Sequence, residues 1–139
     1  MTQPSLSLKF FLDANISPEV ERQLNWAFRR HKFRSARSEN LLDSLDLDLF
    51  PELRARHFDA IITLDRMQMR VPEEAASLRE SGLHWIGIKQ TSVGGPAAIA
   101  NLAATILAVV PHFLNDSPRE PTAYYVSPFS LKISSSVLL

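Results

Sequence analysis

Residues 8–20, LKFFLDANISPEV, pass from a short run that is apolar but for one lysine into Asp13, then Asn15, then a helix start at Ser17-Pro18. LKFFL is too short for a helix and reads as a buried strand. Serine before proline marks a helix start, because the serine oxygen caps an orphan amide and proline loses nothing at the first helical position. A strand turning at once into a helix, with a carboxylate at the junction, is the repeating unit of an open α/β sheet.

The rest of the chain repeats that unit. Val20, Leu24, Ala27 and Phe28 recur at helical spacing and predict a helix from Pro18 to about Arg30. KFRSAR (32–37) predicts a short second strand. FPELRARHF (50–58) predicts a helix with its proline in the first turn, and Asp48 as the residue that caps it. FDAIITL (58–64) is a continuous apolar run of the kind found in parallel strands covered on both faces, and it too ends in an aspartate, Asp65. Pro72, Glu73 and Glu74 open a helix that Gly82 closes, and LHWIGI (83–88) is another buried strand. Gly95-Pro96 starts an alanine-rich helix that Pro111 is expected to kink or end; AYYVS and FSLKI follow as a terminal strand or hairpin. The alternation predicts an α/β fold of three layers, α/β/α, around a mostly parallel central sheet.

Composition narrows the function classes. With 139 residues, 45% apolar and 22% charged, the chain has the size of one globular domain with a substantial core. It has no cysteine, which excludes disulfides, thiolate metal sites and thiol nucleophiles and suits a reducing compartment, so a cytoplasmic location is expected. No charged n-region precedes an apolar h-region, which argues against a secretory signal. The uncharged segment 90–115 is interrupted by Pro96, Asn101 and Pro111 and reads as a core-facing helix, so no membrane association is expected. Fifteen basic residues balance fifteen acidic ones, so no global basic field draws the chain to nucleic acid. Locally, Arg22, Arg29, Arg30, Lys32, Arg34 and Arg37 form a basic block, and Glu39, Asp43, Asp46, Asp48 and Glu52 an acidic one. Each run alone reads as a solvated face; together they have the look of a phosphate-binding rim beside a metal centre.

In an open parallel sheet, ligands bind outside the carboxyl ends of the strands. Asp13 and Asp65 both stand at that edge, and the acids at 43–48 head another helix. The three make a candidate carboxylate site for a hard divalent cation. The plainer reading of an aspartate after a strand is a cap or turn former.

FFLDANISP and AIITLDRMQ resemble the PIN-like nucleases, and within them a compact bacterial subgroup. Its pattern is a first strand ending in an L-D-x-N-x-S/P motif, a central aspartate heading a helix, and a strand ending in T-x-D. Leu12-Asp13-Ala14-Asn15-Ile16-Ser17-Pro18, the acids near 46, and Thr63-Leu64-Asp65 match these in order and separation. The resemblance implies a single PIN-like domain over 1–139 with its core at about 8–134. It implies a metal-dependent ribonuclease, the toxin component of a bacterial toxin-antitoxin pair, using Mg2+ or Mn2+ held by Asp13, Asp46 and Asp65. Asn15 would orient a water, a carboxylate or the phosphate. Thr63 reads either as a β-branched strand residue or as a hydrogen-bond partner behind the ligands. Asp46 keeps the family spacing to Leu49, Phe50 and Leu53, which assigns it as ligand; Asp43 reads as a solvated loop residue. The subgroup commonly carries a second acid two residues after Asp65, where this chain has Met67, leaving three carboxylates. Replacing one of them by asparagine is expected to leave the metal-free fold intact.

The implied partners are an RNA substrate and a small antitoxin protein. Arg29, Arg30 and Arg34 are expected to contact RNA or an acidic partner segment, and Tyr124, Tyr125 and the tail Val137-Leu138-Leu139 to offer a homodimer surface. Two alternatives compete: a catalytically weak PIN-like binding module, and a phosphoacceptor receiver built on Asp13, Asp65 and Lys89. A receiver usually pairs adjacent acids after its first strand, and here Leu12 and Ala14 flank Asp13. His31, His57, His84 and His112 show no ligand spacing, and Trp26 and Trp85 read as core or interface anchors.

Overall fold

The structure, a computed structural model, describes residues 7–92 and 94–138; Leu139 of the expected dimer tail lies outside them. The strands are β1 (Lys9–Leu12), β2 (Lys32–Ser35), β3 (Ala60–Thr63), β4 (His84–Ile88) and β5 (Ala123–Val126). The helices are α1 (Glu19–Ala27), α2 (Asp46–Ala55), α3 (Pro72–Glu80) and α4 (Gly95–Asp116), with a 3-10 turn at Arg66–Met69. The five strands form one sheet in the order β2-β1-β3-β4-β5, every pair parallel. The predicted three-layer α/β fold is therefore the observed one, and the sheet is parallel throughout.

Both faces of each inner strand are covered, which explains why their apolar runs are continuous rather than alternating. Phe10, Leu12, Ala60, Ile62, Ile86 and Ile88 point to one side and pack with Val20 and Leu24 of α1 and with Leu102, Ile106, Val110 and Phe113 of α4. Phe11, Ile61 and Trp85 point to the other side and pack with Leu49, Phe50 and Leu53 of α2 and Leu78 of α3. At roughly 1.5–3 kcal/mol for each large side chain fully buried, these two clusters dominate the stability.

Several helix limits differ from expectation. α1 stops at Ala27 rather than Arg30, because Phe28 leaves helical geometry and packs its ring 5.7 Å from Phe33 of β2. α2 begins at Asp46, so Asp48 is not its cap and Pro51 lies beyond the first turn. α4 runs unbroken through Pro111 to Asp116, where Ser117 adopts left-handed geometry. In both helices the carbonyl left without its donor belongs to an exposed residue, Leu47 or Leu107, where water can take the place of the missing amide. By length and composition α4 could cross a membrane; here it packs on the sheet, with Leu102, Ala103, Ile106, Val110 and Phe113 buried. The terminal segment gives one strand, β5, and no hairpin: residues 127–138 have no regular structure. Trp85 is buried and Trp26 is 72% exposed, so the core reading holds for Trp85 alone.

Two histidines brace the amino edge. His31 Nδ1 accepts from the Leu8 amide at 3.0 Å, and His84 Nδ1 accepts from the Thr122 amide at 3.2 Å. Burial lowers both pKa values; the Arg30 charge adds to this for His31, and Asp59 opposes it for His84. The unfolded chain therefore takes up these protons first as pH falls, and stability is lost as pH drops below about 6.5. Chemical denaturation at pH 7.5 and pH 5.5 should show a smaller loss in His31→Asn/His84→Asn than in wild type; equal losses would show that neither histidine contributes.

Candidate active site

The strand order reverses between β1 and β3, and the loops after these strands open the crevice where doubly wound sheets bind ligands. Asp13 follows β1 and is 7% exposed. Its Oδ1 accepts from the Ala14 amide at 2.8 Å, and its Oδ2 accepts from Thr63 Oγ1 at 2.7 Å and from Gln68 Nε2 at 3.0 Å. Three donors fix the orientation of one carboxylate.

Thr63 is the hub behind it. Its hydroxyl gives its proton to Asp13 and accepts from Asn15 Nδ2 at 3.1 Å and from the Asp65 amide at 3.0 Å. Asn15 Oδ1 accepts from the Leu64 amide at 3.0 Å. Asn15 thus touches the Asp13 carboxylate indirectly, through Thr63. Gln68, 1% exposed, is braced in turn by Trp85, whose Nε1 donates to Gln68 Oε1 at 3.1 Å. Among the described residues no buried side-chain nitrogen or oxygen lacks a partner.

Asp65 follows β3, and its Oδ1 caps the 3-10 turn by accepting from the Met67 amide at 3.0 Å. Asp46, the first residue of α2, is half-buried and faces the other two acids. Burial pushes its carboxyl above the ordinary aspartate value and the charges of Asp13 and Asp65 push it further, while hydrogen bonds from Gln68 and Glu74 hold it back. Asp48 and Asp43 are exposed. Met67 is 56% exposed on the turn. A fourth carboxylate, Glu74 in the first turn of α3, lies near Asp46. Burial raises the Glu74 carboxyl first, followed by its interactions with Asp46 and then the charges of Asp65 and Glu73.

Asp13, Asp46, Asp65 and Glu74 have no cation partner: none enters an ion pair among the described residues. Hard oxygen donors of this kind suit a divalent ion such as Mg2+ or Mn2+. As the side chains stand, no three His, Asp or Glu residues among those described are close enough to hold one ion.

The expected basic contacts divide. Arg29 and Arg30 lie in the turn between α1 and β2, at the amino edge of the sheet, opposite the acids. A four-residue strand separates the two edges by about 13 Å at 3.3 Å per residue. Arg34 is engaged by Glu21 at 3.6 Å and Glu39 at 3.4 Å. The carboxyl edge carries Arg37 of the basic block, after β2, and three cations outside that block: Arg66 and Arg70 beside Asp65, and Lys89 after β4. Tyr125, 58% exposed, packs on Trp85 and under Arg66, and the Tyr124 hydroxyl donates to Asp116.

Asp46→Asn removes a charge that burial and its neighbours disfavour. In metal-free buffer at pH 7.5 it is expected to melt no lower than wild type. Wild type should also gain more stability than Asp46→Asn as pH falls through the raised Asp46 value towards the ordinary aspartate range, because the folded state binds that proton first. A clear loss of stability in Asp46→Asn at pH 7.5 would show that Asp46 serves structure.

An all-parallel α/β sheet, with aspartates following β1 and β3 on either side of its switch point, defines the class of fold; the family follows from comparison. A model described as a PIN like domain matches residues 8–90, more than half of the chain, and this protein belongs to that family, a nuclease-type group whose members generally depend on divalent metal. The match spans β1 to β4 and includes all four acids. No curated protein and no solved structure matches the chain.

Proposed function

We propose that this chain is a metal-dependent endoribonuclease and the toxin component of a bacterial toxin-antitoxin pair. The observation that carries the reading is the orientation of Asp13 by Thr63 and Gln68 beside three further carboxylates without cation partners.

When bound, a divalent ion supplies neutralisation of charge on the scissile phosphate and lowers the pKa of a water. Asp13, Asp46 and Asp65 would hold it, with Glu74 as a fourth acid near Asp46. Thr63 and Gln68 keep Asp13 aimed at the crevice throughout, and Arg66 and Lys89 offer positive charge to flanking phosphates.

The test is cleavage of single-stranded RNA with Mn2+ or Mg2+ and its suppression by chelator, together with melting of the free protein against Mn2+. An ion at a hundredfold its Kd stabilises by about 2.7 kcal/mol. Neither cleavage nor a melting shift would sink the proposal. One observation favours the second reading, a catalytically weak binding module: the acids are not drawn up around a single position. That module would bind RNA, show the shift in weak form or not at all, and cleave nothing.

A further inference from the structure

A cavity of about 230 Å3 opens on the other side of the same sheet edge. The acids lie towards α2 and α3; the cavity lies towards α4, among the ends of β1, β3 and β4. Its walls are apolar, with Leu64, Ile99 and Leu102, and its polar groups include the side-chain amides of Asn15 and Asn101. Among the described residues that line it, Lys89 carries the one charge. Asn15 is common to both sides: it lines the cavity and bonds Thr63, which holds Asp13.

We propose that this cavity is a nucleobase subsite, which takes the base of a nucleotide flanking the scissile phosphate in single-stranded RNA. The inference rests on the nuclease reading of the neighbouring acids. Drug-sized ligands occupy roughly 300–1,000 Å3, so this cavity suits a single ring system. A base needs two flat apolar faces, which aliphatic side chains supply as aromatic ones do, and donors and acceptors at its edge. Leu64, Ile99 and Leu102 provide the first. The groups of Asn101 left over after its Nδ2 donates one hydrogen to the Phe129 carbonyl at 2.7 Å, and the second amide hydrogen of Asn15, beyond the one given to Thr63, provide the second. A neutral slot with a single lysine at an exposed position matches a neutral base joined to an anionic phosphate. It also places the base on one side of the Asn15–Thr63 partition and the backbone on the other, where the acids are.

The test is an NMR titration of the metal-free 139-residue chain with each of the four nucleoside 5′-monophosphates, up to millimolar concentration, with ribose 5-phosphate as the control. At least one nucleotide should shift the amide signals of Leu64, Lys89, Ile99 and Asn101 saturably, and ribose 5-phosphate should not. Ala98→Phe, which fills the cavity from α4, should weaken binding at least tenfold. Lys89→Gln, at an exposed position, should weaken it several-fold with the fold untouched. No nucleotide binding there, or equal shifts from ribose 5-phosphate, would overturn the proposal, as would nucleotide binding that both variants leave unchanged. The RNA cleavage assay separates the two readings: nucleotide binding without cleavage keeps the subsite and removes the nuclease, and cleavage without nucleotide binding does the reverse.

Discussion

Asp13→Asn should lower RNA cleavage by about a thousandfold. A divalent ion supplies several kcal/mol of charge stabilisation, and each 1.36 kcal/mol is tenfold in rate. The same substitution should also cost stability, which sets Asp13 apart from Asp46. At position 13, Oδ2 accepts from Thr63 and Gln68. An asparagine amide placed there would face two donors. Thr63 cannot reverse, because its oxygen already accepts from Asn15 and Asp65, and Gln68 cannot flip without losing Trp85. Turning the new amide over only moves the conflict to the Ala14 amide. A buried donor left without its acceptor costs roughly 1–3 kcal/mol. The expectation that any one of the acids tolerates asparagine therefore does not extend to Asp13. Denaturant midpoints for Asp13→Asn and Asp46→Asn, measured without metal, check this: only the first should fall. Full cleavage by Asp13→Asn would remove it from the active site.

Gly87→Ala should be among the most damaging single-methyl changes in the molecule. A Cβ on Gly87 would fall inside the indole ring of Trp85, two residues earlier on the same face of β4. The indole is 1% exposed, packed among Phe11, Leu83 and Leu78 and held by its bond to Gln68, so turning it into the cleft of about 170 Å3 that it lines with Leu78 and Leu83 would break that bond. Overpacking costs roughly 1–3 kcal/mol and breaking the Trp85–Gln68 bond in the interior roughly 1–3 more. A loss of about 4 kcal/mol should lower the Tm by about 15 °C at a few degrees per kcal/mol. The displaced ring also releases Gln68, and with it one of the donors that aim Asp13. Cleavage measured well below the lowered Tm should therefore still be reduced, by roughly the 10–100-fold typical of lost ligand support. Unchanged melting would show that the strand shifts to admit the methyl; normal cleavage would show that Asp13 is held well enough by Thr63 and Ala14.

The fold was legible because its signals are local. FFL, AIIT and WIGI are short, apolar and punctuated by turn residues, and each became a strand. The two aspartates were legible because they follow such strands. What escaped lies between elements. Glu74 reads in isolation as an acid favouring a helix N-terminus; only the packing of α3 beside α2 brings it to Asp46, and no spacing in the chain encodes that. Gln68 is an uncharged polar residue in a turn, and its role exists only because Trp85 and Asp13, 17 and 55 residues away, meet there. Thr63 is open in sequence to two readings, a β-branched strand residue or a hydrogen-bond partner behind the acids, and only the fold shows its hydroxyl serving three partners. Sequence puts Pro51 in a first turn and Pro111 at a kink or an end, because it does not show which face of a helix will meet solvent. The receiver alternative could not be dismissed on topology, since receivers share this strand order; the family match decides it.

Because all five strands run the same way, the molecule has two unequal rims. One gathers the acids, the cavity and the cations beside them. The other is closed by capping interactions: His31 on Leu8, Asp59 on Lys9, His84 on Thr122. Changes at the second rim can alter how well the domain holds together without displacing a reacting group. The α1–β2 turn at Arg29 and Arg30 is thus a place to insert a label or tether, which would report on the working protein from its far side.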